Sequence, residues 1–322
     1  MTSHSQPSTQ AATPQPAATS WAEVVRLRTL PAAVAPVILG TGAAAALGGF
    51  SLPRSLLAAA VALSLQIGSN LANDYSDGIR GTDDDRTGPP RLTASGQVAP
   101  KTVKYAAFGC FGLAGLFGLA LLALSGQWWM LLLGVAAVAA AWFYTGGPHP
   151  YGYAGLGEVF VFLFFGLMAT VGTTYLQTGT APGWVWLAAC GIGLIACSLL
   201  MVNNLRDIHT DPAHGKRTLA VRLGETRARQ AFTAMIGAPV PLALAALSWA
   251  RWADRGDGNA LGGSIQLLVM TAVLGWLALR TTRTVRAGAS GRALIPALRD
   301  AGLFELVYGV VVGLAFITVT AA

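Results

Sequence analysis

Long apolar runs broken by short polar stretches set the rhythm of this chain. Nine of them stand out, at roughly 31–50, 54–73, 105–125, 128–146, 155–177, 183–204, 231–250, 262–280 and 301–321. A helix needs about 20 predominantly apolar residues to cross a bilayer. The pattern therefore predicts an all-α polytopic membrane protein with nine transmembrane helices in one bundle. Glycine recurs inside the runs, as Gly112, Gly115 and Gly118 and again as Gly191 and Gly193. In lipid, such spacing predicts close helix–helix packing rather than broken helices.

Composition agrees with this reading. Of 322 residues, 54% are hydrophobic and 11% charged, where a soluble domain carries about 25% charged residues. The distribution of charge then sets an orientation. With the N-terminus in the cytoplasm, 18 of the 21 Lys and Arg fall in inside segments, and only Arg54, Arg251 and Arg255 lie outside. That split is what the positive-inside rule requires, and it puts the C-terminus outside. The net charge of +7 is thus topological and calls for no nucleic-acid partner. Residues 1–20 hold no Lys, Arg, Asp or Glu and lack the features of a signal peptide. They are expected to be a disordered cytoplasmic tail ahead of one transmembrane domain, 21–322. Cys110, Cys190 and Cys197 sit in apolar runs without metal-like spacing and are read as packing residues.

Half of the 14 carboxylates fall in two short blocks. The first runs from Asn70 through Asn73, Asp74 and Asp77 to Asp83, Asp84 and Asp85; the second holds Asn203, Asn204, Asp207 and Asp211. Each starts on the last apolar turn of a span, at its cytoplasmic end. Asn70, Asp74 and Asp77 stand at i, i+4 and i+7; Asn203, Asp207 and Asp211 stand at i, i+4 and i+8. Both spacings project onto one face of a helix. Stacked carboxylates repel unless a cation or solvent separates them, and ionisable groups where a helix leaves lipid are costly unless they serve a site. Hard oxygen donors at this density suit Mg²⁺, which completes its shell with water and substrate phosphate. Asp83–Asp85 by themselves read equally as solvated loop charges, and Asn70 and Asn203 as helix–helix hydrogen-bonding residues.

Cations follow each block: Arg80, Arg86 and Arg91 after the first, Arg206, Lys216, Arg217 and Arg222 around the second. They suit a phosphate clamp, although any one of them also serves as a membrane anchor. A loop after the fourth run carries Trp142, Phe143, Tyr144, Tyr151 and Tyr153, ends at Gly157-Glu158, and holds no Lys or Arg. It is either an interfacial aromatic belt or a π-lined wall for a carbocation with Glu158 near an acceptor. His149, His209 and His214 show no ligand pairing and read as loop histidines.

From about Arg28 onward the chain resembles the UbiA superfamily of intramembrane aromatic prenyltransferases. Several strings are similar to its branch acting on 1,4-dihydroxy-2-naphthoate in menaquinone synthesis. They are Asn73-Asp74-Tyr75-Ser76-Asp77-Gly78, Tyr144-Thr145-Gly146-Gly147-Pro148, Pro150 to Tyr153 with Gly157-Glu158, and Asn203 to Asp207 followed by Gly215 to Gly224. The chain departs from the superfamily's Asn-x3-Asp-x3-Asp pattern. Gly78 stands where the last Asp belongs, which leaves Asp77 and Asp83 as alternative metal ligands.

The resemblance implies an enzyme of the cell (inner) membrane with its site at the cytoplasmic face. It implies two Mg²⁺ ions bridging a polyprenyl diphosphate, one at Asp74 and Asp77 or Asp83, one at Asp207 and Asp211. It further implies Arg91, Lys216 and Arg217 on the phosphates, and Asn70, Asn73, Asn203, Asn204, Arg206 and Glu158 around the substrates. Tyr144 belongs with the aspartates at the reacting centre. The reaction implied joins the prenyl group to dihydroxynaphthoate with loss of CO₂ and diphosphate; 4-hydroxybenzoate and homogentisate are the alternative acceptors. A secondary transporter would place its ionisable groups near the midplane, whereas these lie at one face. A CDP-alcohol phosphotransferase would keep its carboxylates in one continuous motif.

Overall fold

The structure is a computed structural model that describes residues 29–82, 91–254 and 260–320. The expected tail over 1–20 and the alternative ligand Asp83 lie outside the described residues, as do Asp84 and Asp85. Among the described residues every regular element is helical.

The apolar runs form α1 (Leu30–Ala46), α2 (Leu52–Ile79), α3 (Pro100–Ser125), α4 (Trp128–Phe143), α5 (Gly157–Thr178), α6 (Gly183–Arg206), α7 (Glu225–Ala253), α8 (Ala260–Arg286) and α9 (Ile295–Thr320). Seven of these stretches are long and apolar enough to cross a membrane; α1 and α4 are shorter apolar helices. Proline stands in the first turn of α1, α2 and α3, where its missing N–H costs nothing. Gly126 and Gly179, both at positive φ, end α3 and α5. A wide π-helical turn over Phe162–Met168 interrupts α5; such turns recur at functional sites.

α6 is the innermost helix, with 72% of its apolar window buried against 28% for α3. It packs on α5, α7 and α9, while α1 lies against α9 and α5, and α2 pairs along its length with α3. The main core, with Ile192, Ile195, Phe232, Phe304, Tyr308 and Phe316, sits among α6, α7 and α9. The outward faces carry large exposed apolar side chains, including Leu116, Leu132, Leu268 and Leu279, as a surface against lipid tails does.

Glycine supports close packing only in part. A methyl built on Gly42 of α1 would sit 2.5 Å from the Gly313 Cα of α9, and one on Gly166 of α5 would sit 2.5 Å from the Gly193 Cα of α6. Gly191 lies against the Tyr308 ring. The expectation for Gly112 and Gly115 fails: nothing lies within 4 Å of either position, and Gly118 meets only Val61 at 4.0 Å. Gly112 and Gly115 are exposed on the outward side of α3, so no neighbouring helix demands their smallness.

Candidate active site

A cavity of about 610 Å³ opens among α1, α2, α4, α5 and α6. One stripe of α2 forms much of its wall, at Ala58, Val61, Ala62, Leu65, Gln66, Ser69, Asn70, Asn73, Asp74 and Asp77. These positions recur every three or four residues, as one helix face must. At 1.5 Å per residue the stripe is about 28 Å long, close to the hydrocarbon thickness of a bilayer. Its first four positions are apolar and its last six polar. A single helix face thus offers a greasy trough that ends in hydrogen-bonding groups.

At the polar end the first block behaves as its spacing predicts. α2 runs to Ile79, so Asn70, Asp74 and Asp77 share its inward face. Asp74 is 1% exposed, and its two carboxylate oxygens accept the backbone N–H of Leu92 (3.1 Å) and of Thr93 (3.0 Å). It thereby fixes the segment that carries Arg91, itself buried in the cavity wall. Asp77 is 2% exposed and accepts the Tyr153 hydroxyl at 2.8 Å. Asn73 accepts the Thr145 hydroxyl at 2.9 Å. Asn70 takes a hydrogen bond from Gln66 and gives one to the Thr29 hydroxyl, both 3.2 Å, so it joins helices while also lining the cavity.

The second block is arranged differently from its expected i, i+4, i+8 helical face. α6 stops at Arg206 and Asp207 is its C-cap; a turn then delivers Asp211, which opens a 3-10 turn with Pro212. The helix has ended five residues before Asp211, so its face does not carry that side chain. Asp207 is gripped by Arg206 through two bonds, Nε to Oδ1 at 2.9 Å and Nη2 to Oδ2 at 2.5 Å. Asp211 faces Lys216 Nζ at 3.9 Å. Asn203, Asn204, Arg206 and Lys216 line the cavity with the first block; Asp207 and Asp211 are buried beside it without lining it. Arg217 is exposed and gives only its backbone N–H, to the Tyr153 carbonyl at 2.9 Å.

The loop between α4 and α5 closes the mouth. Arg80 donates to the Thr145 and Gly147 carbonyls. Tyr144, Tyr151, Phe160 and Phe164 continue one another as an aromatic wall, with Tyr151 stacked on Phe160 at 4.0 Å and 22°. Phe164 and Phe165, both within the wide turn of α5, also line the cavity. Glu158 is buried behind Tyr144; it accepts Asn204 Nδ2 at 3.3 Å, and its second oxygen has no partner. Gly152 makes room for Tyr144, since a methyl there would fall 2.7 Å from the Tyr144 carbonyl oxygen. His149 and His209 are exposed, as loop histidines are.

One residue of the aromatic loop takes a part in this assembly that the sequence does not assign to it. Tyr153 donates to Asp77, accepts from Thr82 at 3.0 Å, and has Arg80 and Lys216 over its ring at 5.5 and 5.6 Å. Burial first, and then the charge of Asp77, push its phenol well above the usual range, so it stays a donor. In the sequence it stands only as a third tyrosine of the aromatic loop and the end of the Pro150-to-Tyr153 string, with nothing that ties it to Asp77.

The donors suit a hard cation. Asp74 and Asp77 keep lone pairs beyond their present bonds, and Mg²⁺ is held by one or two carboxylates with substrate phosphates completing the shell. Among the described residues no three His, Cys, Asp or Glu close on one point, so the protein supplies part of such a shell rather than a cage.

The UbiA prenyltransferase family model matches residues 33–290. The chain is 46% identical over 293 residues to a 1,4-dihydroxy-2-naphthoate octaprenyltransferase of Mycobacterium tuberculosis, covering 91% of this chain and 94% of that one. The Escherichia coli protein of the same name is 43% identical, covering 70% and 75%. In fold it is similar to a UbiA homolog from Archaeoglobus fulgidus bound to GPP and Mg²⁺, with a TM-score of 0.63 at 16% identity, covering 92% of this chain and 99% of that one. The chain is a multi-pass membrane protein and belongs to the UbiA prenyltransferase family.

Proposed function

We propose that this protein is a Mg²⁺-dependent 1,4-dihydroxy-2-naphthoate polyprenyltransferase of menaquinone biosynthesis. It moves a polyprenyl group from its diphosphate to the naphthoate ring, releasing diphosphate and CO₂ and giving demethylmenaquinol. The observation that carries this is the α2 stripe: a helix face about as long as a bilayer is thick, apolar from Ala58 to Leu65 and polar from Gln66 onward, ending in buried aspartates with Arg91, Arg206 and Lys216 in the same cavity. An amphiphile with an isoprenoid tail and an anionic head has that shape and charge. The relatives named for dihydroxynaphthoate, matched over most of the chain, support the acceptor.

In this reading Asp74 and Asp77 hold Mg²⁺, which when bound supplies positive charge to the departing diphosphate. A second ion at Asp207 and Asp211 requires Arg206 to turn from Asp207 toward the phosphates. Arg91, Arg206 and Lys216 bind the diphosphate and offset its charge as the C–O bond breaks and the electron pair leaves with it. Arg217 assists from outside the cavity. The faces of Tyr144, Tyr151, Phe160 and Phe164 shelter the allylic cation, since π-faces attract cations, and the apolar trough excludes water. The naphthoate carbon forms the new bond, and loss of its carboxylate as CO₂ returns the electrons to the ring. Glu158 and Asn204 orient the acceptor.

All nine apolar helices span the membrane in this reading, the shorter α1 and α4 where the bilayer thins around them. The N-terminus lies in the cytoplasm, the C-terminus outside, and the site opens at the cytoplasmic face of the cell (inner) membrane. The charge split supports that orientation. Residues 21–322 act as one domain.

The test is an acceptor panel. Purified protein with radiolabelled polyprenyl diphosphate is expected to prenylate dihydroxynaphthoate, to leave 4-hydroxybenzoate and homogentisate unmodified, and to stop when EDTA is added. Transfer to either of the other acceptors in preference to dihydroxynaphthoate overturns the assignment, and so does undiminished transfer in EDTA.

A further inference from the structure

Outside the residues already given roles, a half-buried contact joins the two halves of the site. We infer that Tyr153 is a positioning residue: its hydroxyl orients Asp77 for the metal-bearing diphosphate while its ring and carbonyl bring the Lys216 loop to the same place. The inference rests on the proposed function and adds to it a residue outside the ligand set.

Three observations converge on it. First, Asp77 Oδ1 has the Tyr153 hydroxyl at 2.8 Å. The phenol has one hydrogen, spent on Asp77, so Thr82 is the donor in their 3.0 Å contact. Thr82 to Tyr153 to Asp77 is therefore a directed chain, in which each bond polarises the next. Secondly, Lys216 Nζ lies 5.6 Å from the Tyr153 ring centroid and also lines the cavity. Thirdly, the Tyr153 carbonyl accepts the Arg217 N–H at 2.9 Å, which fixes the backbone next to Lys216. One side chain thus connects α2 with the loop after α6.

Asp77 lines the cavity while its Oδ1 accepts the Tyr153 hydroxyl. A carboxylate held in this way has fewer orientations to lose on binding a cation. Partners that hydrogen-bond a ligating carboxylate typically alter metal affinity or activity about 10–100-fold when removed.

The test compares Tyr153→Phe with Thr82→Ala in the full-length protein. Tyr153→Phe deletes the bond to Asp77 and keeps the ring beside Arg80 and Lys216. Its half-saturating Mg²⁺ concentration is expected to rise about tenfold or more, with the acceptor KM unchanged. Binding of Mg²⁺ with an unreactive prenyl thiodiphosphate, read by calorimetry, should weaken in parallel, while thermal unfolding stays at the wild-type temperature. Thr82→Ala keeps the bond to Asp77 and is expected to shift the Mg²⁺ dependence less than twofold. An unchanged Mg²⁺ dependence in Tyr153→Phe overturns the inference, and so do equal shifts in both variants, which would mean that the hydroxyl orders the loop and not Asp77. If wild-type protein itself shows no Mg²⁺-dependent prenyl transfer, it is the proposed function that fails, a result distinct from either of these.

Discussion

Asp74 holds a loop and, in the proposed mechanism, a metal, and replacing it with Asn separates these roles from those of Asp77. In Asp74→Asn one amide oxygen still accepts an N–H, but the NH₂ group meets the other backbone donor, at Leu92 or Thr93. Two bonds to a charged acceptor, each about 1.5–3 kcal/mol, give way to one neutral bond of about 1 kcal/mol and a buried N–H without a partner. The expected net loss is at least about 3 kcal/mol. Asp77→Asn differs: its amide oxygen still accepts the Tyr153 hydroxyl, and no backbone group depends on its side chain. Its stability cost should stay below about 1 kcal/mol. Both variants should lose at least about 100-fold in turnover, the scale of removing one electrostatic partner of the transition state. Cys110 and Cys190 are half-buried and Cys197 is buried, so a thiol-reactive fluorogenic dye reports unfolding without added labels. The reasoning is refuted if the two variants melt together, or if either keeps more than a tenth of wild-type turnover.

Arg206 and Asp207 form a buried pair, with side chains 4% and 10% exposed. Arg206→Ala alone should cost about 3–5 kcal/mol by leaving Asp207 uncompensated, and the double variant Arg206→Met with Asp207→Asn should recover most of that melting temperature. Equal melting of the single and double variants would show that the pair compensates nothing. At the far end of the trough, a methyl on Gly172 would meet Met130 Cε at 3.3 Å. Gly172→Phe should therefore lower kcat/KM for a long polyprenyl diphosphate about tenfold or more relative to geranyl diphosphate, the scale of lost apolar contacts in a specificity pocket. Gly42→Leu should abolish stable folding, because its side chain meets the Gly313 backbone, whereas Gly112→Leu, with nothing within 4 Å, should melt within about 0.5 kcal/mol of wild type. A stable Gly42→Leu or a labile Gly112→Leu, read by the same dye assay, contradicts the packing described.

What the sequence reveals, and what it hides, divides along one physical line. Helix periodicity is local: a residue's face follows from its neighbours three and four positions away. The convergence of Asn70, Asp74 and Asp77 on one face of α2 is therefore legible from spacing alone. The same extrapolation fails at Asp207 and Asp211, because α6 ends at Arg206 and periodicity holds only inside the helix. It fails again for Gly112 and Gly115, since a small residue reports only that a partner is permitted, and α3 turns that side to the outside.

Tyr153 is hidden for a further reason. Its bond to Asp77 spans 76 positions, and a loop-to-helix hydrogen bond has no characteristic spacing that a pattern could betray. A tyrosine at a membrane interface already has an adequate explanation as a belt residue, so its presence raises no anomaly. Unlike the tyrosine, the aspartates need explaining, because a carboxylate at the end of a span is expensive unless something nearby offsets its charge. Expense is what makes a functional residue visible in a sequence. The ligands of this site are costly and announce themselves; the groups that hold the ligands in place cost little, and only geometry identifies them.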